Sequence, residues 1–317
     1  MNDTFRSYGE AAAGWLADTV DVNRDPIAAL HAFGLQEALA DSSHAEQAAI
    51  LAAVGLEMGK ALAVGPLVEV VTSELCGLGS ASPLLSGFDP LRTCPSPEAT
   101  ERRIPYAEPG RELLMDGVAD GVPVIGTLTL PSDGGLACVR QIDDTLLGLL
   151  ANTVQPTAVL LRGDNAREAT RHVTDLLLVA TSARLLGIAE RCMSVIRDHL
   201  NSRIQFGKTL SSFQALQHSV VDAHIEVALA RALLDQVVER WSSVAHRQSC
   251  AFALKAQTSG AARTVCRKGV QLLGAMGFTD EGPVAPCLKH TLVLAARYGS
   301  EARCRAVYRA RPVNLFG

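Results

Sequence analysis

Aromatic residues make up only 4% of this 317-residue chain. The chain has no block of Lys and Arg, and its net charge is −4. No polyanion-binding footprint is present, so nucleic acid is not an expected partner. Eight cysteines stand at 76, 94, 138, 192, 250, 266, 287 and 304, and no two form C-x-x-C. The start, Met1 to Arg6, is polar and charged and lacks the pattern of a secretory leader. The expectation is reduced, mostly buried thiols in a cytoplasmic protein. No apolar run approaches ~20 residues, so no membrane span is expected. H-E-x-x-H and histidines paired at helical metal spacing are both missing, and no metal site is expected. The serine-hydrolase elbow G-x-S-x-G is missing too. Gly207-Lys208-Thr209 resembles the end of a P-loop, but Ser202 holds the required upstream glycine position and no strand precedes it. Gly277-Phe278-Thr279 is not a G-x-G-x-x-G element.

What the chain does have is Ala, Leu and a 48% hydrophobic content. That composition supports a large core and favours helix, because Ala and Leu have the best helix propensities. The fold class is mainly α. Residues 1–102 read as an N-terminal helical domain with a linker. Helical spacing covers Ala28 to Leu39, interrupted by Gly34, and Ser43 to Val64, ended by Gly65-Pro66. The Gly-, Ser- and Pro-rich stretch from Gly77 to Pro97 reads as the linker. Residues 103–165 read as a reduced β-domain of a few short strands. Val122, Val124, Leu128 and Leu130 alternate imperfectly, and Ala158 to Leu161 forms a short apolar run. Residues 166–317 read as a four-helix bundle, with helices over about 173–202, 213–241, 246–273 and 284–309. The apolar pairs Leu185-Leu186 and Val237-Val238 exceed what one helix seam needs and are predicted to form a subunit interface.

Two segments lie at helix ends. In Arg203-Ile204-Gln205-Phe206-Gly207-Lys208-Thr209-Leu210, closed by Phe213-Gln214, the guanidinium can fork onto a pyrophosphate. Phe206 and Gly207 make a tight corner, and Gln214 opens the next helix, where N–H groups are free to face an anion. In Gln271-Leu272-Leu273-Gly274-Ala275-Met276-Gly277-Phe278-Thr279, the glutamine offers an amide and the glycines admit close backbone approach.

Together these segments resemble the C-terminal signatures of the acyl-CoA dehydrogenase family, R-x-x-F-G followed by F/H-Q and then Q-x-x-G-G-x-G. Other blocks agree. Val54 to Ala61 with Gly65-Pro66-Leu67 resembles the family's E-x-G-x-A … x-P-L helix, and Gly277 to Pro283 resembles its G-F-T-x-E-x-P turn. The resemblance implies an N-terminal helical domain, a middle β-domain and a C-terminal four-helix bundle. It also implies FAD, an acyl-CoA substrate and a separate electron acceptor. By that resemblance Arg203, Gln205, Phe206, Gln214, Gln271 and Gly274 contact the FAD of a neighbouring subunit.

The departures narrow the reading. Full-size members have roughly 60 more residues, with much of the difference in the β-domain. Their flavin-wrapping T-E-P-x-x-G-S-D segment has only a faint echo in Ala107-Glu108-Pro109-Gly110. The catalytic Glu of their Y-E-G-T pattern aligns with Tyr298 in Arg297-Tyr298-Gly299-Ser300. A phenol of pKa about 10 is a poor base at neutral pH. An alternative family position for the base falls near Leu177, leaving Asp175 as a weak candidate beside a helix start. A chain with flavin contacts for a neighbour and no base resembles the short subunits of heteromeric actinobacterial steroid-degradation acyl-CoA dehydrogenases. There a short subunit pairs with a full-length one as α2β2. Two alternatives stay open: a self-sufficient dehydrogenase with an unusual base, and a structural member that binds no flavin.

Overall fold

The computed structural model describes residues 3–18, 29–30, 32–78, 85–88, 101–132, 136–242 and 247–310. The first layer is helical, with α1 (Asp3–Asp18), α2 (Leu35–Ala40), α3 (His44–Ala61), a 3₁₀ turn (Val68–Val70) and α4 (Thr72–Leu75). Helix α3 starts where its sequence dictates. The Ser43 side chain accepts from the Glu46 N–H while Glu46 accepts from the Ser43 N–H, a closed capping box. Most of the Gly77–Pro97 linker lies outside the described residues.

Seven strands follow: β1 (Leu85–Ser86), β2 (Glu101–Pro105), β3 (Glu112–Ala119), β4 (Val122–Thr129), β5 (Ala137–Arg140), β6 (Leu146–Ala151) and β7 (Ala158–Arg162). They form a sheet of order β1-β3-β4-β7 and a second of order β2-β6-β5. The two sheets enclose a small core of Ile104, Leu113, Met115, Leu128, Leu130 and Leu150. Leu114 and Ile125 point the other way and join the main helical core. The alternation expected across β4 is imperfect because both of its faces are covered: Val124 and Ile125 are neighbours and both buried.

The C-terminal helices are α5 (Gly163–Ser202), α6 (Gln214–Glu239), α7 (Arg247–Leu273), α8 (Ala285–Ala296) and α9 (Glu301–Ala310). A 40-residue α5 begins ten residues before the expected start near Val173. The continuous fourth helix expected over 284–309 is instead two helices, broken at residues 297–300. Tyr298 (φ 59°) and Gly299 (φ 117°) adopt left-handed or extended positive-φ backbone there, which no helix can continue through. The freed carbonyls are not orphaned. Lys255 of α7 is wholly buried and its Nζ donates to Ala295 O (3.2 Å), Gly299 O (3.4 Å) and Ser259 Oγ (3.1 Å). Burial pushes that ammonium down to about 8.

Helices α3 and α5 cross at backbone distance. A Cβ at Gly187 would sit 2.1 Å from Leu56 O, and one at Gly59 would sit 2.2 Å from Arg184 O. By length and composition α5 passes as a membrane span, yet its apolar window is entirely buried inside the protein. It is the axis of the core.

Leu185, Leu186, Val237 and Val238 are core residues, each at most 4% exposed. The interface expected on them is therefore corrected: they pack within the chain. Helix α6 has two apolar faces. Ala223, Val227, Ala230 and Leu234 are buried, whereas Val221, Ile225 and Leu229 form a stripe more than half exposed.

Candidate functional site

The C-terminus of α5, the N-terminus of α6 and the C-terminus of α7 gather at one end of the bundle. Lys268 Nζ near the end of α7 donates to Ser219 O near the start of α6 (2.9 Å), tying those ends together. Between α5 and α6 the chain makes a two-stranded hairpin, pairing Ile204 with Thr209 and Gln205 with Lys208. Its tip, Phe206-Gly207, has φ of 53° and 79°, the pattern of a type I′ turn. Phe206 is 89% exposed and meets Phe213 edge-on at 6.2 Å, while Lys208 Nζ lies 4.2 Å from the Phe213 ring centre. Arg203 closes α5 through its N–H to His199 O (2.9 Å); its exposed side chain has no described partner.

Gln205, Gln214 and Gln271 are also exposed, and Gly274 turns the chain out of α7 at φ 61°. All six residues expected to touch the cofactor lie at this one end and face outward. An unpaired guanidinium, three exposed amides and a projecting aromatic corner fit a dinucleotide held from another side. Among the described residues no cluster of three or more His, Cys, Asp or Glu could hold a metal.

The position that the sequence resemblance aligns with the family's base, Tyr298, lies inside. Tyr298 is buried and donates to Glu69 Oε1 at 2.8 Å. Burial, together with the Glu69 charge, pushes its phenol well above the usual range, so it stays a neutral donor. Glu69 Oε2 accepts from the Leu67 N–H (2.8 Å). Arg297 Nη1 donates to Tyr106 Oη (2.9 Å), lies 3.8 Å from Glu69 Oε1, and stacks its guanidinium 4.7 Å from the Tyr106 ring centre. This buried chain links the 3₁₀ turn, the loop after β2 and the α8–α9 break. Beside it remains a void of about 10 Å³ lined by Leu67, Glu69, Leu177, Thr181, Arg184 and Arg297. That is room for about one water. Glu69 and Arg297 were not anticipated from the sequence. The only signal was position: Glu69 follows Gly65-Pro66-Leu67, and Arg297 precedes the residue aligned with the base.

Outside this plug opens a cleft of about 750 Å³ between Gly65-Pro66, the β-region and α8. The echo loop, Tyr106 to Arg111, forms part of its wall. Its charges are mutually paired: Arg111 with Glu108 (3.2 Å), Arg140 with Asp144 (4.0 Å), Lys289 with Asp280 (3.0 Å) and His290 with Asp143 (3.6 Å).

Asp175 is on a different face of α5 from Leu177, Thr181 and Arg184. Burial pushes its carboxyl up to about 7, against the opposing pull of Arg247 and Arg171. One turn earlier, His172 hydrogen-bonds Gln47 Oε1 (2.6 Å) and stacks on His44 at 3.8 Å; burial pushes it down to about 3. A raised carboxyl favours the fold below its unfolded pKa, and that support is lost as pH rises toward 7. Asp175→Asn should therefore stabilise the protein more at pH 8 than at pH 5, by a difference on the order of 2–3 kcal/mol. His172 titrates alike in both proteins and cancels. Thermal melts of the pair across pH test this; parallel curves would refute it.

Residues 178–311 match the family "Acyl-CoA dehydrogenase, C-terminal domain". Over those 134 of the 317 residues the chain is similar to the C-terminal domain of the acyl-CoA dehydrogenase family. It is 27% identical over 230 residues to "Acyl-CoA dehydrogenase IpdE2" of Mycobacterium tuberculosis, covering 71% of this chain and 65% of that protein. The match thus spans just under two thirds of the relative's length. Two solved structures share the fold over nearly the whole chain. A Tcur3481-Tcur3483 steroid ACAD variant has a TM-score of 0.77 at 18% identity, covering 96% of each chain. The ChsE4-ChsE5 complex from Mycobacterium tuberculosis has a TM-score of 0.76 at 16% identity, covering 99% of each.

Proposed function

We propose that this chain is a subunit of an FAD-dependent acyl-CoA dehydrogenase, introducing an α,β double bond into an acyl-CoA thioester. In this reading it completes the flavin site of a full-length partner, as α2β2, and supplies no base of its own. FAD held at such a site would supply the acceptor for the hydride of the β-carbon. Arg203 would pair with its pyrophosphate, Phe206 would close against it, and Gln205, Gln214, Gln271 and Gly274 would border it.

The observation that carries the reading is a contrast within one chain. The six cofactor candidates face outward, while the position of the family's base is filled by Tyr298, Glu69 and Arg297 with room left for one water. An acyl thioester has no space beside Tyr298. Glu69, the carboxylate nearest that position, is committed to Tyr298 and the Leu67 N–H. A self-sufficient enzyme would need both an open pocket and a free carboxylate there. Asp175 faces elsewhere. The steroid-derived acyl group and the two-chain assembly are supported by the likeness to the steroid ACAD and to the ChsE4-ChsE5 complex. The electron acceptor would meet the assembled enzyme, and the setting is the cytoplasm.

The test is co-expression with a full-length dehydrogenase encoded beside it, followed by the flavin spectrum and stoichiometry of the complex. A stable, yellow, active lone chain would refute the proposal. In the active complex, Tyr298→Phe should keep turnover within several-fold while lowering stability by about 1–3 kcal/mol, the cost of leaving one buried acceptor short of a donor. A thousandfold loss of turnover, roughly the scale of a lost acid–base group, would assign Tyr298 a catalytic role.

A further inference from the structure

Arg184 of α5 and Arg297 of the α8–α9 break both line the small void beside the plug, together with Glu69 and Thr181. The two arginines and Glu69 are buried, each at most 7% exposed. The guanidinium donors are only partly used. Arg184 Nη1 donates to Gly65 O (2.7 Å) and Nη2 to Ala63 O (2.9 Å), carbonyls just past the end of α3. Arg297 Nη1 donates to Tyr106 Oη (2.9 Å). Arg184 Nε, Arg297 Nε and Arg297 Nη2 are buried and have no partner among the described residues. Three surplus N–H donors on two residues around one void are costly, because a buried donor without an acceptor has lost its hydration for nothing.

The charges are as unbalanced as the donors. A guanidinium stays ionised inside a protein. Two of them line the void with a single carboxylate, Glu69, so its walls carry one net positive charge. That carboxylate is already engaged: Oε1 accepts from Tyr298 (2.8 Å) and Oε2 from the Leu67 N–H (2.8 Å). The Thr181 hydroxyl turns back to Leu177 O (2.7 Å). The carbonyls that hold Arg184 offer dipoles and no full charge. A buried charge without a counter-charge is unfavourable. The void, about 10 Å³, admits one water-sized body. That size excludes a carboxylate, a phosphate or any acyl group, and the positive walls exclude a metal cation. A water would answer the donors and leave the charge. A halide ion answers both.

We propose that this void is a halide site, in which one chloride ion accepts from the spare N–H groups of Arg184 and Arg297 and neutralises the plug. The ion would tie the middle of α5 to the α8–α9 break, two regions that are far apart in sequence. The site goes beyond the flavin reading and stands without it.

The full chain is melted across a chloride titration in which sodium gluconate keeps the ionic strength constant. The Tm should rise with chloride and then saturate, the behaviour of one ligand bound by the folded state alone. Bromide should replace chloride, while gluconate, too large for the void, should give no effect of its own. A Tm independent of chloride would overturn the proposal and leave a water as the occupant. Two variants shift the charge of the walls in opposite directions. Glu69→Gln keeps the shape and removes the negative charge, so the chloride concentration at half effect should fall about tenfold. Arg184→Gln cancels the net positive charge and should abolish the chloride response. An unchanged half-effect concentration in Glu69→Gln would locate the chloride effect elsewhere and overturn the proposal. If Arg184→Gln fails to fold, the parent protein decides alone. A crystal soaked in bromide should show an anomalous peak between Arg184 and Arg297, and a site without one refutes the halide.

Discussion

Arg203→Ala should release FAD from the assembled enzyme about tenfold to a hundredfold more readily than the parent. The guanidinium is exposed, sits at a helix end, and has no described partner in its own chain. A side chain held by nothing at home is free to serve a neighbour. A charge-assisted hydrogen bond is worth roughly 1.5–3 kcal/mol, which gives the stated range in affinity. The fold should not notice, because the capping contact of Arg203 is its backbone N–H to His199 O and Ala preserves it. Arg203→Lys should recover only part of the loss, since an ammonium cannot make the bidentate fork. Flavin release on dilution, with circular dichroism of the same samples, reads both effects. Unchanged retention in a folded Ala variant would make Arg203 a helix cap and nothing more.

The second large effect lies inside. Glu69→Ala should destabilise the protein by about 3–5 kcal/mol, the cost of leaving a buried charge without its partner. Arg297 would lose its nearest carboxylate, Tyr298 its acceptor, and the Leu67 N–H its cap. The double substitution Glu69→Ala with Arg297→Met should be less unstable than Glu69→Ala alone, because it removes the stranded guanidinium. Urea denaturation of the parent, both single variants and the double variant closes the cycle. If the two changes simply add, Arg297 is held by Tyr106 and not by Glu69.

The fold was largely legible because its signals were local and periodic. The helical spacing from Ser43, the Gly65-Pro66 stop and the run at Ala158 to Leu161 each carry their own physics, and each occurs where its residues indicate. The break at residues 297–300 was hidden. A buried lysine some 40 residues away in sequence accommodates it by donating to Ala295 O and Gly299 O, and no short window along the chain contains both. The interface expected on Val237-Val238 misled for a related reason. A helix with two apolar faces does not say which of them is covered, and only the packed neighbours reveal that Val237 and Val238 turn in while Val221 and Ile225 turn out. The outward-facing half of the candidate site was written in contiguous motifs. The plug was not, because Glu69, Tyr106 and Arg297 come from three separate regions and meet only after folding.

The exposed stripe of Val221, Ile225 and Leu229 has a consequence for synthesis. An unpartnered apolar ridge is sticky from the moment α6 leaves the ribosome, and it will find other hydrophobic surfaces if its intended cover is late. A cell that made this chain in excess would therefore lose the surplus to chaperones, proteases or aggregates. If the proposed partner is what covers this ridge, supply of that partner would set how much of this chain survives.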